Sequence, residues 1–465
     1  MTAPAHAEAH VELTGSRRVH VVGVGGAGMS AIASVLAAMG HRVSGSDLKA
    51  SPATERLRGA GVEVSVGHRA EAVDGAELVA VSSAVGDDNP EVVEARRRGI
   101  PVVSRAAVLA AIARCRRAVA VAGTHGKTTT TSMLSLVMVE AGLRPSFLVG
   151  GDVNEIGTNA VWDEGEWLVL EADESDGTFL ALSPEVAVVT NIEPDHLDHY
   201  GDLAAVEEAF DRFGAGPGIR TLVVGADDAG ASALGRRRHG VLVGTAADAD
   251  YRIVDLETGR AGVRFGLVHD GTALGRVSTP VPGAHNAQNA ALALVAAMAA
   301  GASFEDGARA LARFAGVARR FESRGEAGGV TFVDDYAHLP TEVAATLAAA
   351  RAGGWGRVVA VFQPHRYTRT AALGTAFADA FVEADVVVVT DVYAAGEPPI
   401  PGVSGRTVAD AVLLAHPDAE VAYVAGRPEL RAHLGALLRP GDLCLTLGAG
   451  DITGLADELA PEVGR

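Results

Sequence analysis

The stretch that most constrains the fold is residues 118–131, which read Ala-Val-Ala-Val-Ala-Gly-Thr-His-Gly-Lys-Thr-Thr-Thr-Thr. The first five residues predict a buried strand, a loop bracketed by Gly123 and Gly126 follows, and a helical pattern comes next. This order aims backbone N–H groups and a helix N-terminus at an anion. Lys127 is then placed to reach the β- and γ-phosphates of a nucleotide, and Thr128 to bind Mg²⁺.

The loop departs from the common phosphate-binding pattern, which would need a glycine at the position of Val121. An ordinary glycine-rich turn without a ligand is therefore the alternative. The chain has only two lysines, Lys49 and Lys127, against 37 arginines. The compact charge of lysine thus stands at the one place where a phosphate loop requires it, which favours nucleotide binding.

The length of 465 residues is too great for one core and predicts three α/β domains, at 1–115, 116–318 and 319–465. The expected architecture is a Rossmann-like N-terminal domain, a central P-loop ATPase-type domain and a Rossmann-like C-terminal domain. We expect the central domain to hold a parallel sheet with a small antiparallel addition, formed by residues 250–280.

Composition excludes several classes of protein. The two cysteines, Cys115 and Cys444, have no metal-ligand spacing and indicate a reducing compartment. The net charge of −19 argues against nucleic-acid binding. Residues 1–14 have no signal-peptide core, and no apolar run has membrane-spanning length. We therefore expect a cytoplasmic protein without a membrane partner.

The first predicted domain carries a dinucleotide-type fingerprint. Gly23, Gly25 and Gly28 fit Gly-x-Gly-x-x-Gly after a buried strand, and the next strand ends at Asp47, where such folds contact a ribose hydroxyl. The fingerprint indicates a diphosphate at a helix N-terminus without identifying the base. A tight turn with no ligand is the alternative.

Glu171 ends a second apolar strand of the central domain, and His196 lies in the turn after a third. Because ligands bind at the carboxyl ends of parallel strands, both side chains should face the edge that carries Lys127 and Thr128. Carboxylate, hydroxyl and phosphate oxygens suit Mg²⁺. The alternatives are a solvated carboxylate and a loop histidine.

Two pairs of polar residues have helical spacing. Asn286 and Asn289 lie on one face near a helix start, where Asn286 alone could serve as an N-cap but the pair suits adenine or phosphate. Arg366 and Arg369 could clamp a carboxylate or phosphate, or could be two solvated arginines.

Eight motifs in one order carry a resemblance to a known family: Gly23–Met29, Gly123–Thr128, Glu171–Asp176, Thr190–His196, His285–Asn289, Arg319–Phe321, Asp334–His338 and Phe362–Thr370. Together they resemble the Mur ligases, and within them the member that adds L-alanine. The resemblance implies ATP-driven amide bond formation between L-alanine and the lactoyl carboxylate of UDP-N-acetylmuramic acid, through an acyl phosphate. It implies ATP and Mg²⁺, peptidoglycan precursor synthesis, small-molecule partners only, and a monomer or weak homodimer.

The resemblance also implies roles for individual residues. Catalysis would fall to Lys127, Glu171 and His196, and Mg²⁺ binding to Thr128, Glu171 and His196. The ATP site would comprise Gly123, Thr124, His125, Gly126, Lys127, Thr128, Thr129, Asn286, Asn289, Arg320 and Asp335. The UDP-substrate site would comprise Gly23, Gly25, Gly26, Gly28, Met29, Asp47, Ser82 and Ser83. The muramoyl and alanine site would comprise Tyr336, His338, Arg366 and Arg369.

One position departs from the family, which usually has His-His-Pro where this chain has His338, Leu339 and Pro340. Leu339 is therefore assigned no role. Three alternatives stand beside the alanine-adding ligase: a murein tripeptide recycling ligase of the same family, an NAD-dependent dehydrogenase that explains only the first ninety residues, and a nucleotide switch without ligase chemistry.

Overall fold

A computed structural model describes residues 11–82, 84–153 and 156–463, and three β-sheets organise them. The first sheet has five parallel strands in the order β3-β2-β1-β4-β5, the order of a Rossmann half. Its strands are β1 Arg18–Val22, β2 Arg42–Asp47, β3 Glu63–Val66, β4 Leu78–Val81 and β5 Val102–Ser104. The predicted N-terminal fold is confirmed.

The helices that follow these strands are α1 Ala27–Ala38, α2 Pro52–Gly59, α3 Pro90–Arg97 and α4 Arg105–Ala113. Three of them begin at a polar side chain that accepts a backbone N–H: Ser51 for α2, Asn89 for α3 and Ser104 for α4. By contrast, α1 begins at Gly26 without a side-chain cap. The first N–H groups of α1 therefore donate to no capping side chain.

The second sheet has ten strands in the order β15-β14-β13-β12-β11-β10-β6-β9-β7-β8. They are β6 Arg117–Ala122, β7 Ser146–Val153, β8 Thr158–Val161, β9 Trp167–Glu171, β10 Val186–Val189, β11 Thr221–Gly225, β12 Val241–Gly244, β13 Tyr251–Gly259, β14 Gly262–His269 and β15 Thr272–Thr279. Two-residue turns join β13 to β14 and β14 to β15, so the predicted antiparallel addition is confirmed. The antiparallel pair β7–β8 was not predicted.

The middle of this sheet sets the position of the candidate site. Strand β6 is fully buried after its first residue and lies between β9 and β10, parallel to both. Val121 pairs with Glu171 and Ala122 with Val189, so the three strands end at one edge. The helices of this region are α5 Lys127–Glu140, α6 Leu197–Tyr200, α7 Leu203–Gly214, α8 Ala229–Arg238, α9 Ala284–Ala299 and α10 Phe304–Leu311.

The third sheet has the order β16-β17-β21-β18-β19-β20, and all its strands are parallel except β16. They are β16 Glu322–Ala327, β17 Val330–Asp335, β18 Arg357–Phe362, β19 Val386–Val389, β20 Val421–Tyr423 and β21 Asp442–Leu447. The helices are α11 Pro340–Ala352, α12 Tyr367–Leu373, α13 Gly405–Ala415, α14 Arg427–Leu437 and α15 Leu455–Val463. Strand β16 was not predicted, because its residues are polar and carry no alternating apolar pattern.

Packing divides the chain into two compact units. One comprises Met1–Arg252, Val268–Thr272 and Asn289–Leu311, and the other Ile253–Leu267, Ala273–Gln288 and Ala312–Arg465. Within the first unit, one hydrophobic core continues from the first sheet into the second. The boundaries after residues 115 and 318 stay predictions. In the part of the chain that is described, no helix is long and apolar enough to cross a membrane.

Phe179 offers a test of this core. Its ring is fully buried and packs against Phe210 and Phe213 of α7, with ring centroids 5.2 and 5.1 Å away. We expect Phe179→Ala to lower the free energy of unfolding in urea by about 3–5 kcal/mol, because the cavity cannot close completely. Val382→Ala, at a side chain that is 60% exposed, is the control and should change it by less than about 0.5 kcal/mol. Equal effects of the two substitutions would contradict the described packing.

Candidate active site

The loop between β6 and α5 requires glycine at both of its brackets. Gly123 has φ 135°, and a Cβ atom there would collide with Thr190 Oγ1. Gly126 has φ 77°, and a Cβ atom there would lie 2.6 Å from Asn289 Oδ1. These are conformations and approaches that L side chains disfavour. The loop therefore brings its backbone against Thr190 and Asn289.

The segment after β10 clamps the loop. The backbone N–H of His125 donates to Asn191 Oδ1 at 2.7 Å, and its carbonyl accepts from Thr190 Oγ1 at 2.5 Å and Asn191 Nδ2 at 3.1 Å. The N–H of Thr124 donates to the Asn191 carbonyl at 3.1 Å. Val121, where the common pattern has glycine, is buried in β6. The conformation of the loop is thus held by hydrogen bonds to the segment that follows β10.

Lys127 occupies the first position of α5, and its side chain is 15% exposed. The ammonium donates to the carbonyls of Gly123 at 2.6 Å and Thr124 at 3.2 Å, and to Glu174 Oε1 at 2.7 Å. These contacts use all three donors of a lysine. A phosphate oxygen bound by Lys127 must therefore replace or share one of these three acceptors. Two of the acceptors are backbone carbonyls, and the third is the side chain of Glu174.

The charges around Lys127 are strongly coupled. Burial acts to lower the pKa of Lys127, but the carboxylates of Glu174, Asp173 and Glu171 outweigh it and raise that pKa. Burial raises the pKa of Glu174 to about 7, against the opposing effect of Lys127. Burial also acts to raise the pKa of Asp173, but Lys127 and Arg105 outweigh it and lower that pKa to about 2. The Oε2 atom of Glu174 is buried without a hydrogen-bond partner among the described residues.

Thr128 and Glu171 come together as the sequence predicted. Thr128 Oγ1 donates to Glu171 Oε1 at 3.1 Å, and the N–H of Gly150 donates to Glu171 Oε2 at 2.8 Å. A hydroxyl and a carboxylate beside a phosphate loop are the donor types of Mg²⁺, which keeps several waters. The described ranges contain no group of three or more His, Cys, Asp or Glu side chains that is arranged to hold a metal ion. Thr128 and Glu171 thus carry ligand types that suit the ion, and their role as its ligands stays a prediction.

His196 follows β10 and starts α6 in a left-handed conformation, with φ 53°. Its Nε2 atom lies 3.1 Å from Asp195 Oδ2. Because β10 ends beside β6, His196 belongs to the same sheet edge as Lys127. Its role as a ligand stays a prediction.

The remaining predicted ATP residues are mostly buried. Thr124 Oγ1 accepts from the N–H of Glu193 at 2.9 Å, and Thr129 lies in the first turn of α5. Asn289 adjoins Gly126, and its side chain is buried. Asn286 Nδ2 donates to the Pro282 carbonyl at 2.7 Å, a contact that differs from an N-cap.

The first-domain fingerprint also forms a compact loop. The N–H of Gly25 donates to Asp47 Oδ2 at 2.8 Å, so Asp47 lies at the loop as its spacing predicted. Ser82 lies beside Gly23, where a Cβ atom would come within 3.0 Å of the Ser82 Cβ atom. Ser83 lies outside the described residues.

Met29 is 2% exposed and belongs to the hydrophobic core, so its side chain packs inside the first unit. Its predicted place in the UDP-substrate site stays a prediction. The sequence showed the glycine-rich start of α1 but not which way this side chain would point.

Asp335 ends β17 in the second unit, and Tyr336 follows it. Asp335 accepts the N–H groups of Phe321 at 2.7 Å and Ala337 at 2.8 Å, and burial raises its pKa to about 6 despite Arg320. The guanidinium groups of Arg320 and Arg319 lie 5.0 and 4.9 Å from the centroid of the Tyr336 ring. These are cation–π distances.

A second polar cluster surrounds His365, which the sequence reasoning did not single out. His365 Nδ1 lies 3.2 Å from Arg369 Nη1, and its ring centroid lies 5.9 Å from that of His338. Burial and the neighbouring cations lower the pKa of His365 to about 4. Arg366 Nε donates to Glu397 Oε1 at 2.5 Å. Of the two arginines that were predicted to form a clamp, Arg366 therefore contacts Glu397, whereas Arg369 contacts His365.

Leu339 explains the departure from the family pattern. Its side chain is 3% exposed and it forms the N-cap position of α11. A buried apolar side chain fits this position without an imidazole. His338 keeps its polar contacts, with Nδ1 3.0 Å from the Tyr336 carbonyl and 3.2 Å from Glu342 Oε2.

Three family models match in the order of the three sheets. They are the Mur ligase family catalytic domain at residues 18–117, the Mur ligase middle domain at 121–297 and the Mur ligase glutamate ligase domain at 319–450. The chain therefore belongs to the Mur ligase family. The dehydrogenase alternative, which explained only the first ninety residues, is abandoned.

Two related sequences and one solved structure are similar to this chain over nearly its whole length. The UDP-N-acetylmuramate–L-alanine ligase of Myxococcus xanthus (strain DK1622) is 49% identical over 445 residues, 95% of this chain and 94% of that protein. The enzyme of that name from Geobacter sp. (strain M21) is 47% identical over 439 residues, 94% and 95% of the two chains. The structure of UDP-N-acetylmuramate–alanine ligase from Thermotoga maritima matches with a TM-score of 0.80 at 30% identity, covering 96% of this chain and 98% of that one.

A murein peptide ligase from Psychrobacter arcticus matches with a TM-score of 0.70 at 24% identity, over 97% of this chain and 99% of that one. This likeness shows the shared fold alone.

The raised pKa of Glu174 predicts a dependence of stability on pH. The folded protein binds a proton at Glu174 up to about pH 7, whereas the unfolded chain releases it near 4.5. The free energy of unfolding must therefore fall as the pH rises through this range. Glu174→Gln cannot titrate, so its stability relative to the parent should increase from pH 4.5 to 8 in urea titrations. A difference that stays constant with pH would contradict the assignment.

Proposed function

We propose that this chain is an ATP-dependent ligase that joins L-alanine to the lactoyl carboxylate of UDP-N-acetylmuramic acid in peptidoglycan precursor synthesis. The observation that carries the proposal is the loop of Lys127, with Thr128 and Glu171 beside it at the edge of the central sheet. Relatives of nearly full-length coverage at 45–49% identity, named for that ligation, support the choice of substrates.

The chemistry places distinct demands on the residues of the site. The lactoyl carboxylate attacks the γ-phosphorus of ATP, ADP leaves, and an acyl phosphate forms. The amine of L-alanine then attacks the acyl carbon, loses a proton, and phosphate leaves. Lys127 serves the first step, because its charge stabilises the charge that develops on the transferred phosphoryl group.

Thr128 and Glu171 would hold Mg²⁺, which supplies charge neutralisation between the carboxylate and the phosphates. The clamped loop and the start of α5 would present to the phosphates the N–H groups that Asn191 does not accept, and the buried surroundings of Lys127 would keep water away from the acyl phosphate. His196 as a ligand of a second ion is part of the same proposal.

The other predicted contacts remain proposals for this chain. Asn286 and Asn289 would contact adenine, Arg320 the phosphates and Asp335 the ribose. Tyr336, His338, Arg366 and Arg369 would bind the muramoyl and alanine parts. The UDP end would lie at the loop of Gly23, Gly25, Gly26 and Gly28, with Asp47 and Ser82 near the uridine.

Product analysis by mass tests the proposed reaction. With UDP-N-acetylmuramic acid, ATP, Mg²⁺ and L-alanine together, we expect the alanyl product and equimolar phosphate, and neither when one component is omitted. The murein tripeptide in place of L-alanine is the control and should give no product. Preferential use of the tripeptide would identify a recycling ligase, and ATP hydrolysis without any amino acid would contradict ligase chemistry.

Lys127→Ala should lower kcat at least about 100-fold, which corresponds to about 3 kcal/mol or more, because the substitution removes charge from the transition state. Lys49→Ala is the matched control, since Lys49 is exposed and is the only other lysine of the chain. Steady-state kinetics with saturating substrates give both values. A Lys127→Ala variant within about threefold of the parent would refute the assigned role.

A further inference from the structure

Arg105 is a cation that the chemistry described above does not use. It begins α4 directly after β5, and its side chain is 22% exposed. Nη2 donates to Asp173 Oδ2 at 2.9 Å and lies 3.4 Å from Asp176 Oδ2. Both aspartates belong to the acidic segment 171–176 that also carries the partner of Lys127. One edge of the guanidinium is therefore held by this segment.

The other edge of the guanidinium faces the first-domain glycine loop. A Cβ atom at Gly28 would lie 3.3 Å from Arg105 Nη1, so the arginine lies directly against the start of α1. Within the described residues, the hydrogen bonds of Arg105 all involve Nη2. Nη1 thus keeps its N–H donors without an acceptor among the described residues, at the loop where the diphosphate of the UDP-linked substrate would bind.

A cavity of about 230 Å³ adjoins this arginine. Its lining includes Arg105, Ser82, Asp176 and Thr178. Ser82 also lies beside Gly23, so one of the residues that line the cavity adjoins the glycine loop. There is room for a ligand group next to the available donors.

The negative charge of the chain makes a cation with available donors important at the position of Arg105. The chain has a net charge of −19, and segment 171–176 adds four carboxylates beside a site for anionic ligands. Lys127 already uses its three donors on Gly123, Thr124 and Glu174. Arg105 keeps the two N–H donors of Nη1, and a charge-assisted hydrogen bond from a guanidinium to a phosphate oxygen is a strong contact.

We propose that Arg105 is a substrate-binding residue whose Nη1 contacts the diphosphate of the UDP-linked substrate while its Nη2 stays on Asp173 and Asp176. This inference rests on the function proposed above. It gives the chain a physical link between its two anion sites, because one side chain contacts the diphosphate and holds the segment that carries Glu174, the partner of Lys127.

Calorimetric titration of the full chain with UDP alone, without ATP, tests the contact. We expect Arg105→Met to raise the Kd for UDP about 10- to 100-fold, the effect of losing a charge-assisted hydrogen bond. Arg105→Lys should raise it less, because it keeps the charge but not the fork. The Kd for ATP should change less than about threefold in both variants.

Arg96→Met is the matched control, because Arg96 lines the same cavity but pairs with Asp87 at its exposed end. It should bind UDP like the parent. Asp176→Asn keeps the test informative if Arg105→Met does not fold, since it leaves Arg105 in place and removes a competing charge. It should bind UDP as tightly as the parent or more tightly.

Three results would overturn the proposal. Arg105→Met could bind UDP within about threefold of the parent, could lose UDP and ATP affinity together with a lower Tm, or could weaken only the binding of intact UDP-N-acetylmuramic acid. The last result would place the contact at the sugar end. If the parent protein forms the alanyl product and Arg105→Met binds UDP as tightly as the parent, this inference is refuted and the proposed function stands. A parent that binds no UDP refutes the proposed function as well.

Discussion

The buried ion pair between Lys127 and Glu174 is the interaction on which the candidate site depends. A lysine that is 15% exposed keeps its charge only because carboxylates surround it, and Glu174 is a nearly buried carboxylate that meets it at 2.7 Å. Around the pair, Asp173 connects to Arg105, and Glu171 to Thr128. The site is therefore a cluster of paired charges, with more carboxylates than cations, that an anionic ligand must reorganise.

The architecture explains why these groups meet. Strands β9, β6 and β10 are parallel neighbours, so the segments that follow them emerge at one edge of the sheet. Each strand contributes a different function there: acidic residues after β9, the phosphate loop after β6, and the loop-clamping residues after β10. Chemistry that needs a cation, carboxylates and backbone donors is thereby assembled from segments up to about 70 residues apart along the chain.

The sequence predicted most of the fold, because its parallel strands are continuous apolar runs that end in turns with recognisable chemistry. It missed β16, whose residues are polar, and the β7–β8 pair, in which Gly150 and Gly151 interrupt the pattern. It also did not identify β5, β11 and β12, which are strands of three to five residues. Lys127, Thr128 and Glu171 were predicted from local motifs, and the structure brings them together. Arg105 could not be found in this way, since nothing local distinguishes it among 37 arginines and its partners lie 68 and 71 residues further on.

The clamp on the phosphate loop has a thermodynamic consequence. Three of the backbone groups of Thr124 and His125, those that hydrogen-bond to Thr190 and Asn191, are fixed before any nucleotide is present. A flexible glycine-rich loop loses conformational entropy when it wraps around phosphates. Here the ordering takes place when the protein folds, so the phosphate contacts that the proposed function assigns to this loop would lose less affinity to the ordering of the backbone.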